Sequence, residues 1–444
     1  MEKKIIVSGK EIMSGEIKIQ GAKNSSLLLI ACSILTNDEL ILRNIPNITD
    51  IFNMIDLLQE CGVKIDLSKE QNHNNSPTDG VSYEAKMKYI GRPKLSEIKF
   101  SDKAGKIRTS IILLGPLLSR GISVILEKPG GCNLNLGTRA IDMHIDALTK
   151  MGATITINEN EGKEYVFAQA PKSLQSIDYT FRQISVTATA NVIMAASLAN
   201  GSSILRNIAI EPEIVNLIEM LKCMGAQIEF ISERTVSITG VQNLRGTKHD
   251  VILDRIEAGT YMILAAAIGE KVKIHIDPSL VKNTTETLRL IGASIKEYDE
   301  HVEISRSNLR AINLKTGPYP EFSTDLQPQL VSILCIANGK SEIEETMFDN
   351  RFHHVNELKK MGASITLEKS QKSIGSIIHI NGVSKLTHAS VDAHTLRDAA
   401  AMVIAGLIST GETHINNIEN LHRGYGNLVE KLKSCKMNIK YEEV

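Results

Sequence analysis

Along the chain, apolar and polar positions fall into two kinds of helical pattern that take turns. The first kind is apolar on nearly every face and occupies residues 25–35, 109–118, 186–198, 256–268, 326–336 and 396–408, rich in Ala, Ile, Leu and Met. A helix that is apolar all round belongs inside a domain. The second kind is amphipathic and ends on a shared signature. Leu57, Leu58, Gln59, Glu60, Cys61, Gly62, Val63, Lys64 and Ile65 recur in pattern at 148–155, 221–228, 288–295 and 358–365. A sixth copy, 432–439, has Lys436 in the glycine's place. Each copy reads as a helix stopped by a glycine at C′ that runs into a strand. Strand patterns also follow the apolar helices, at 39–42, 122–126, 203–205, 272–276, 341–344 and 413–415.

The repeating unit is therefore buried helix, strand, surface helix, strand and often a further strand, with copies roughly 70–90 residues apart. Three units make one domain, with inner helices packed together and sheets outside. The polar stretch 240–250 marks the cut: 21–250 is the first domain, and 1–20 with 251–444 is the second. The strands at 4–7 and 16–19 precede the first unit and are expected to complete the second domain's sheets. Residues 72–79 form a polar excursion with turn chemistry, read as a surface loop.

Composition narrows the function classes. The chain has 444 residues, 50 Lys and Arg against 51 Asp and Glu, and a formal charge of −1. It carries no overall electrostatic footprint for nucleic acid or an anionic membrane. Its six cysteines have no paired spacing, no CxxC and no metal-ligand pattern, so no metal and no cofactor are expected. Cys32, Cys61, Cys223, Cys335 and Cys435 read as structural thiols in a reducing cytosol. Residues 1–10 lack the apolar core of a signal peptide, and no apolar run is long enough for a membrane span. The expectation is a soluble cytoplasmic protein, a monomer or weak homo-oligomer.

Chemistry gathers at two sets of quasi-equivalent positions. The first turns of the apolar helices hold Lys23 and Asn24, Arg108, Ser185, Arg255, Asp325 and Arg397. Cations oppose the dipole at a helix start, whereas bound anions suit it, so these positions read as the cradle of a polyanionic ligand. Capping competes: Asn24 or Ser25 and Ser185 are equally good N-caps, and Thr324 with Gln327 has the form of a capping box. The second set lies in turns after strands: Cys132 with Arg139, Glu211 to Glu213, Asp349 to Arg351, and His422 to Gly424. In the run Pro129, Gly130, Gly131, Cys132, two glycines permit a sharp bend that presents one thiol among cations. Such a thiol is acidified and serves as proton donor or nucleophile. The alternative is a glycine turn with an incidental small hydrophobe. Phe348 and Tyr425 read as packing residues, and His144, His353 and His354 receive no role.

Taken together, these motifs make the chain resemble the enolpyruvyl transferases from Gly21 to the C terminus. The likeness is carried by Gly21 to Asn24, Arg108 before Leu114 to Leu117, Pro129 to Cys132, Glu211 to Val215, Asp254 to Glu257, Thr324 to Gln327, Phe348 to Phe352, and Arg423 to Tyr425. The resemblance implies a two-domain inside-out α/β barrel of six βαβαββ-like repeats, three per domain, closing over substrates in the cleft between them. It implies transfer of the enolpyruvyl group of phosphoenolpyruvate to the 3-hydroxyl of UDP-N-acetylglucosamine, with phosphate released, in peptidoglycan precursor synthesis. It also implies roles. Cys132 protonates the donor's methylene carbon, Asp325 removes the acceptor's proton, and Lys23 joins the catalytic set. Lys23, Arg108, Arg139, Arg351, Arg397 and Arg423 neutralise the donor; Asn24, Arg139, Asp142, Ser185, Val186 and Asp325 contact the acceptor.

Some positions depart from the family pattern. Two extra residues enlarge the segment 133–136, and Ala140 replaces a proline. Gln183 stands for a lysine that would meet the acceptor's diphosphate, Thr187 for a glycine whose backbone approaches it, and Thr395 for an aspartate. These changes leave two alternatives open: a paralogue acting on another nucleotide or nucleotide sugar, and a non-catalytic regulator that binds a nucleotide sugar.

Overall fold

A computed structural model describes residues 3–9, 11–70, 81–91, 97–101, 103–128, 141–160, 162–371 and 373–443. Cys132, Arg139, Ala140, the 133–136 segment and the 72–79 excursion lie outside the described residues, as does the side chain of Arg108. The chain divides into two compact units, one holding Gly21–Glu70 and Ser82–Ile252, the other Met1–Gln20 and Leu253–Val444. Each unit has its own apolar core.

Among the described residues the strands form six four-stranded sheets with one shared order. The third repeat shows the template. Asp178–Thr180 lies parallel to Ser202–Arg206, which pairs antiparallel with Thr235–Thr239, and Gln227–Ser232 closes the edge. The apolar helix Val186–Ala196 connects the two parallel strands, and the amphipathic helix Pro212–Cys223 leads into the hairpin. This is the βαβαββ unit, and the fold is the inside-out α/β barrel type, with apolar helices as the core of each unit.

Three strands complete sheets whose repeats lie far away in sequence. Lys248–Asp250, at the end of the polar stretch, pairs parallel with Leu40–Pro46 of the first repeat. Glu16–Lys18 pairs parallel with Val272–His275 of the fourth. Lys3–Ser8 inserts between Glu412–Asn416 and Asn438–Glu443 of the sixth, antiparallel to both. Each unit is thus closed on itself by a returning piece of chain.

The second repeat departs from the continuous helix expected at 109–118. Arg108–Leu113 is a 3₁₀ turn and only Leu114–Ser119 is α-helical. The buried side chain of Asn191 is wedged between the turns. The Gly115 N–H donates to Asn191 Oδ1 at 2.7 Å, and Asn191 Nδ2 donates to the Ile111 carbonyl at 3.1 Å. In a regular helix those two backbone groups would bond each other, so the inserted amide replaces one rung of the ladder. A Cβ at Gly115 would lie 2.3 Å from the Asn191 carbonyl oxygen, which accounts for glycine there.

The shared helix stop is confirmed in its backbone. Gly62, Gly152, Gly225, Gly292 and Gly362 have φ between 87° and 104°, and Lys436 adopts φ 67° in the sixth copy. The same pair of closing bonds forms there, from Lys436 N to the Lys433 carbonyl and from Met437 N to the Leu432 carbonyl. A left-handed non-glycine residue costs about 1–2 kcal/mol, partly offset by the lower chain entropy of a side-chain-bearing residue when unfolded. Lys436→Gly is therefore expected to stabilise the protein by about 0.5–1 kcal/mol, read from urea unfolding midpoints. A loss of stability would show that the lysine side chain makes up for its backbone strain.

Candidate active site

In the Leu253–Val444 unit the starts of two buried helices and one turn bring Asp325, Arg351 and Arg397 together. Arg397, in the first turn of Leu396–Ile408, donates from Nε to Asp325 Oδ1 at 2.6 Å. Arg351, from the turn ahead of His353–Lys360, donates from Nη1 to the same oxygen at 3.0 Å and to Thr324 Oγ1 at 2.9 Å. The Thr324 hydroxyl in turn donates to Glu345 Oε2 at 2.7 Å, while Glu345 Oε1 accepts the Met347 N–H.

The expected capping box is therefore not formed. The helix begins at Gln327, with Leu326 at its N-cap and Pro328 in its first turn, because proline suits that turn and fixes its start. Thr324 and Asp325 are left outside the helix, and both are used by charged side chains instead. Phe348 also differs from expectation: its ring lies beneath the Arg351 guanidinium, 3.6 Å from centroid to Cζ, a cation–π contact rather than plain packing. Tyr425 is a packing residue, buried with its hydroxyl 2.7 Å from that of Thr260.

The side chain of Arg351 is 7 % exposed and that of Asp325 27 %. Burial alone would push the Asp325 carboxyl up, but Arg397 and Arg351 together hold it far below the usual carboxylate range. Burial, and then repulsion from Arg397, push Arg351 down to about 9, opposed by Asp325 and Glu345. Among the described residues Arg351 Nε meets no acceptor, although it is buried.

Arg397 is held from behind. Thr395 caps its helix, accepting the Asp398 N–H at 3.2 Å and donating to Asp398 Oδ2 at 2.8 Å. Asp398 also faces the fully buried His354, 3.7 Å away. Arg423 closes a 3₁₀ turn at Ile418–Arg423, and the next residue packs on Arg397's helix: a Cβ at Gly424 would meet Leu396 at 2.6 Å. Arg255 opens its helix behind the N-cap Asp254 and lies 5.7 Å over the Tyr319 ring.

The Gly21–Ile252 unit carries the other candidate residues. Lys23 is the first residue of Lys23–Ala31, behind Ala22, so neither Asn24 nor Ser25 caps that helix. Lys23 Nζ pairs with Asp50 Oδ2 at 2.6 Å, Asn24 is exposed, and Ser25 donates to Asn216 Oδ1 at 2.6 Å. Ser185 is the N-cap of Val186–Ala196, accepting the Ala188 N–H at 3.3 Å; Val186 is half-buried and Gln183 exposed. Asp142 opens Asp142–Lys150 and pairs with the exposed Arg182.

His144, given no role from sequence, joins these parts. Its Nδ1 lies 2.9 Å from Asn191 Nδ2 and its Nε2 3.2 Å from Thr187 Oγ1. An amide nitrogen can only donate, so Nδ1 accepts and the ring proton sits on Nε2, which donates to Thr187. The histidine thus ties the helix start at Ser185 to the Asn191 wedge beside the Arg108 turn. A His and an Asn separated by 47 positions offer no local signal of that contact.

Among the described residues four thiols are buried: Cys32, Cys61, Cys335 and Cys435. Burial pushes Cys32 well above its ordinary value, Cys335 up to about 12 and Cys435 up to about 11. Cys223 is exposed, unlike the structural thiol expected, because it falls on the outer face of the last turn of its helix. Among the described residues no group of His, Cys, Asp or Glu is placed to hold a metal, and no helix is long and apolar enough to cross a membrane.

Comparison with known proteins gives a consistent result. The EPSP synthase (3-phosphoshikimate 1-carboxyvinyltransferase) family profile matches residues 7–432. The UDP-N-acetylglucosamine 1-carboxyvinyltransferase of Wolbachia pipientis wMel is 41% identical over 442 residues, covering 99% of both chains. The UDP-N-acetylglucosamine 1-carboxyvinyltransferase 1 of Carboxydothermus hydrogenoformans is 40% identical, covering 99% of this chain and 98% of its own. Among solved structures, the enolpyruvyl transferase NikO from Streptomyces tendae superposes with a TM-score of 0.84 at 20% identity, covering 100% of this chain and 99% of its own. The EPSP synthase of Acinetobacter baumannii does so at 0.70 and 19%, covering 100% of both.

The Asp325 ion pairs have a pH signature. A carboxyl held below its unfolded value adds stability that is fully present above about pH 4 and is lost as the pH falls toward its folded value. Urea unfolding of wild type and Asp325→Asn between pH 6 and pH 3 is expected to show the wild type more stable by a constant margin above pH 5. That margin should narrow below pH 4. A margin independent of pH would remove the arginine grip as its source.

Proposed function

The chain belongs to the EPSP synthase family of enolpyruvyl transferases, and from that premise we propose that it transfers the enolpyruvyl group of phosphoenolpyruvate to the 3-hydroxyl of UDP-N-acetylglucosamine, releasing phosphate. The observation that carries the reading is Asp325 between two arginines, one at a helix start and one in a turn, in a chain aligned end to end with relatives of that name. The product feeds peptidoglycan precursor synthesis. Both substrates are small phosphorylated molecules of the cytoplasm, which is the expected compartment.

The residues divide the chemistry between them. Arg351, Arg397 and Arg423, with Lys23, Arg108 and Arg139, neutralise the donor's carboxylate and phosphate, and the charge that builds as phosphate leaves. Asp325 accepts the proton of the acceptor's hydroxyl as its oxygen bonds to C2 of the donor. Cys132 gives a proton to C3, which becomes a methyl group, and C2 becomes tetrahedral. The C2–O bond to phosphate then breaks, a methyl proton passes back to the Cys132 thiolate, and the double bond re-forms as an enol ether, while the proton held by Asp325 leaves with the phosphate. Asn24, Asp142, Ser185 and Val186 hold the acceptor.

The test is phosphate release from phosphoenolpyruvate with and without UDP-N-acetylglucosamine. Asp325→Asn is expected to cut turnover by about a hundred-fold or more, the usual scale for loss of a general base. Cys132→Asp should keep part of the turnover, because it retains an acid, whereas Cys132→Ala should lose much more. Equal activity in the two Cys132 variants would remove the proton-donor role.

A second reading, another nucleotide as acceptor, is favoured by two positions. Gln183 brings no charge to a diphosphate, and Thr187 places a side chain, held by His144, where a close backbone approach is expected. Thr187→Gly would also unhook His144, so Gln183→Lys is the cleaner variant. If the UDP-sugar is the acceptor, Gln183→Lys should tighten its binding roughly ten-fold or more, the worth of a charge-assisted hydrogen bond. Calorimetric titration that finds no gain, with UMP preferred by the wild type, would favour the second reading.

A further inference from the structure

We infer that Arg351 and Arg397 hold Asp325 inert until the donor's anionic groups take those arginines over, so that donor binding itself frees the base. The inference rests on the reading of Asp325 as base and of the two arginines as donor ligands.

One carboxylate oxygen carries both grips: Arg397 Nε at 2.6 Å and Arg351 Nη1 at 3.0 Å donate to Asp325 Oδ1. A carboxylate shared by two guanidinium groups is a poor proton acceptor, because accepting a proton means giving up both charge-assisted bonds. Against the upward push of burial, Arg397 and Arg351 hold Asp325 below the usual carboxylate range, so its ionised form is the favoured one in this state.

The arginines are built for a larger anion than this one oxygen. Arg351 is fixed by the Thr324 hydroxyl at 2.9 Å and by the Phe348 ring under its plane, and it is almost fully buried. Its Nε–H nevertheless meets no acceptor among the described residues. A buried, unpaired donor on a guanidinium is costly, and an anion with several oxygens would satisfy it alongside Nη1. Asp325 is more exposed than Arg351, at 27 % against 7 %, and, unlike Arg397 in the first turn of Leu396–Ile408, it lies ahead of its helix and not within it. It is the member of the trio that can let go.

Competition for the same donors is reciprocal. If the anion loosens Asp325, the charge on Asp325 must weaken the anion by the same factor. Removing that charge while keeping the shape should therefore improve anion binding as it abolishes catalysis. A carboxylate that only oriented the arginines would do the opposite.

The experiment is calorimetric titration of inorganic phosphate and of phosphoenolpyruvate into wild type, Asp325→Asn and Glu345→Gln. Glu345 is the control because it too is a carboxylate behind Arg351, linked through Thr324, but it does not occupy the arginine donors. Asp325→Asn is expected to bind both anions roughly ten- to a hundred-fold more tightly than wild type, the scale of one lost charge-assisted competitor. Glu345→Gln should stay within about three-fold of wild type, since it frees no arginine donor. Should Asp325→Asn fail to fold, Asp325→Ser serves in its place. Unchanged or weaker binding in the Asp325 variant, or equal tightening in Glu345→Gln, overturns the inference. Phosphate release by the wild type in the same preparation separates the two ideas: turnover with no tightening sinks the release mechanism alone. No turnover and no binding of phosphoenolpyruvate sinks the functional reading with it.

Discussion

A helix that is apolar on every face has to be enclosed, and only its ends remain for polar chemistry. The helices Lys23–Ala31, Val186–Ala196, Arg255–Ile268 and Leu396–Ile408 are buried along almost their whole length. Their flanks go to sheets and to one another, so charged residues can stand only at their starts. Unpaired N–H groups already collect there, and a bound anion is favoured over bare solvent. The position of the candidate site thus follows from burying the helices.

Cations at a helix start are unfavourable by themselves, and the structure supplies carboxylates beside them. Lys23 has Asp50, and Arg397 shares Asp325 with Arg351 of the neighbouring turn. In the last case the counter-ion is also the residue with the best claim to chemistry. On the proposal above, that one carboxylate neutralises the arginines before substrate binds and is released when an anion arrives.

The positioning of these groups relies on pieces of chain from far away. Gln20, at the end of the N-terminal segment, donates from its backbone to Glu257 at 2.9 Å and from its side chain to the Gly424 carbonyl at 2.7 Å. Glu257 also holds the buried Lys431 at 2.7 Å. The turn that carries Arg423 is therefore braced by the first strands of the protein, while Gly424 packs on Leu396 beside Arg397. In the other unit His144 and Asn191 do the same work, joining the Arg108 turn to the helix start at Ser185.

The sequence by itself determined what depends on local periodicity and backbone preference. Apolar helices, amphipathic helices with a glycine stop, and strands between them are set by neighbours a few positions apart, so the six repeats and the cations at helix starts were legible. The motifs at Lys23, Arg108, Asp325, Arg351 and Arg423 made the family legible as well. Tertiary structure alone decided which side chains share an atom. Asp325 meets Arg397 across 72 positions, and nothing local distinguishes that use from the capping box that the spacing of Thr324 and Gln327 predicts. Asn191 breaks a helix 80 positions away from Ile111, a break that only the packed partner could cause. The Thr187 hydroxyl is held by His144, 43 positions away, a contact that only the packed chain creates. These contacts are won by packing geometry and by the need to satisfy buried charge, and neither is written in any short window of the chain.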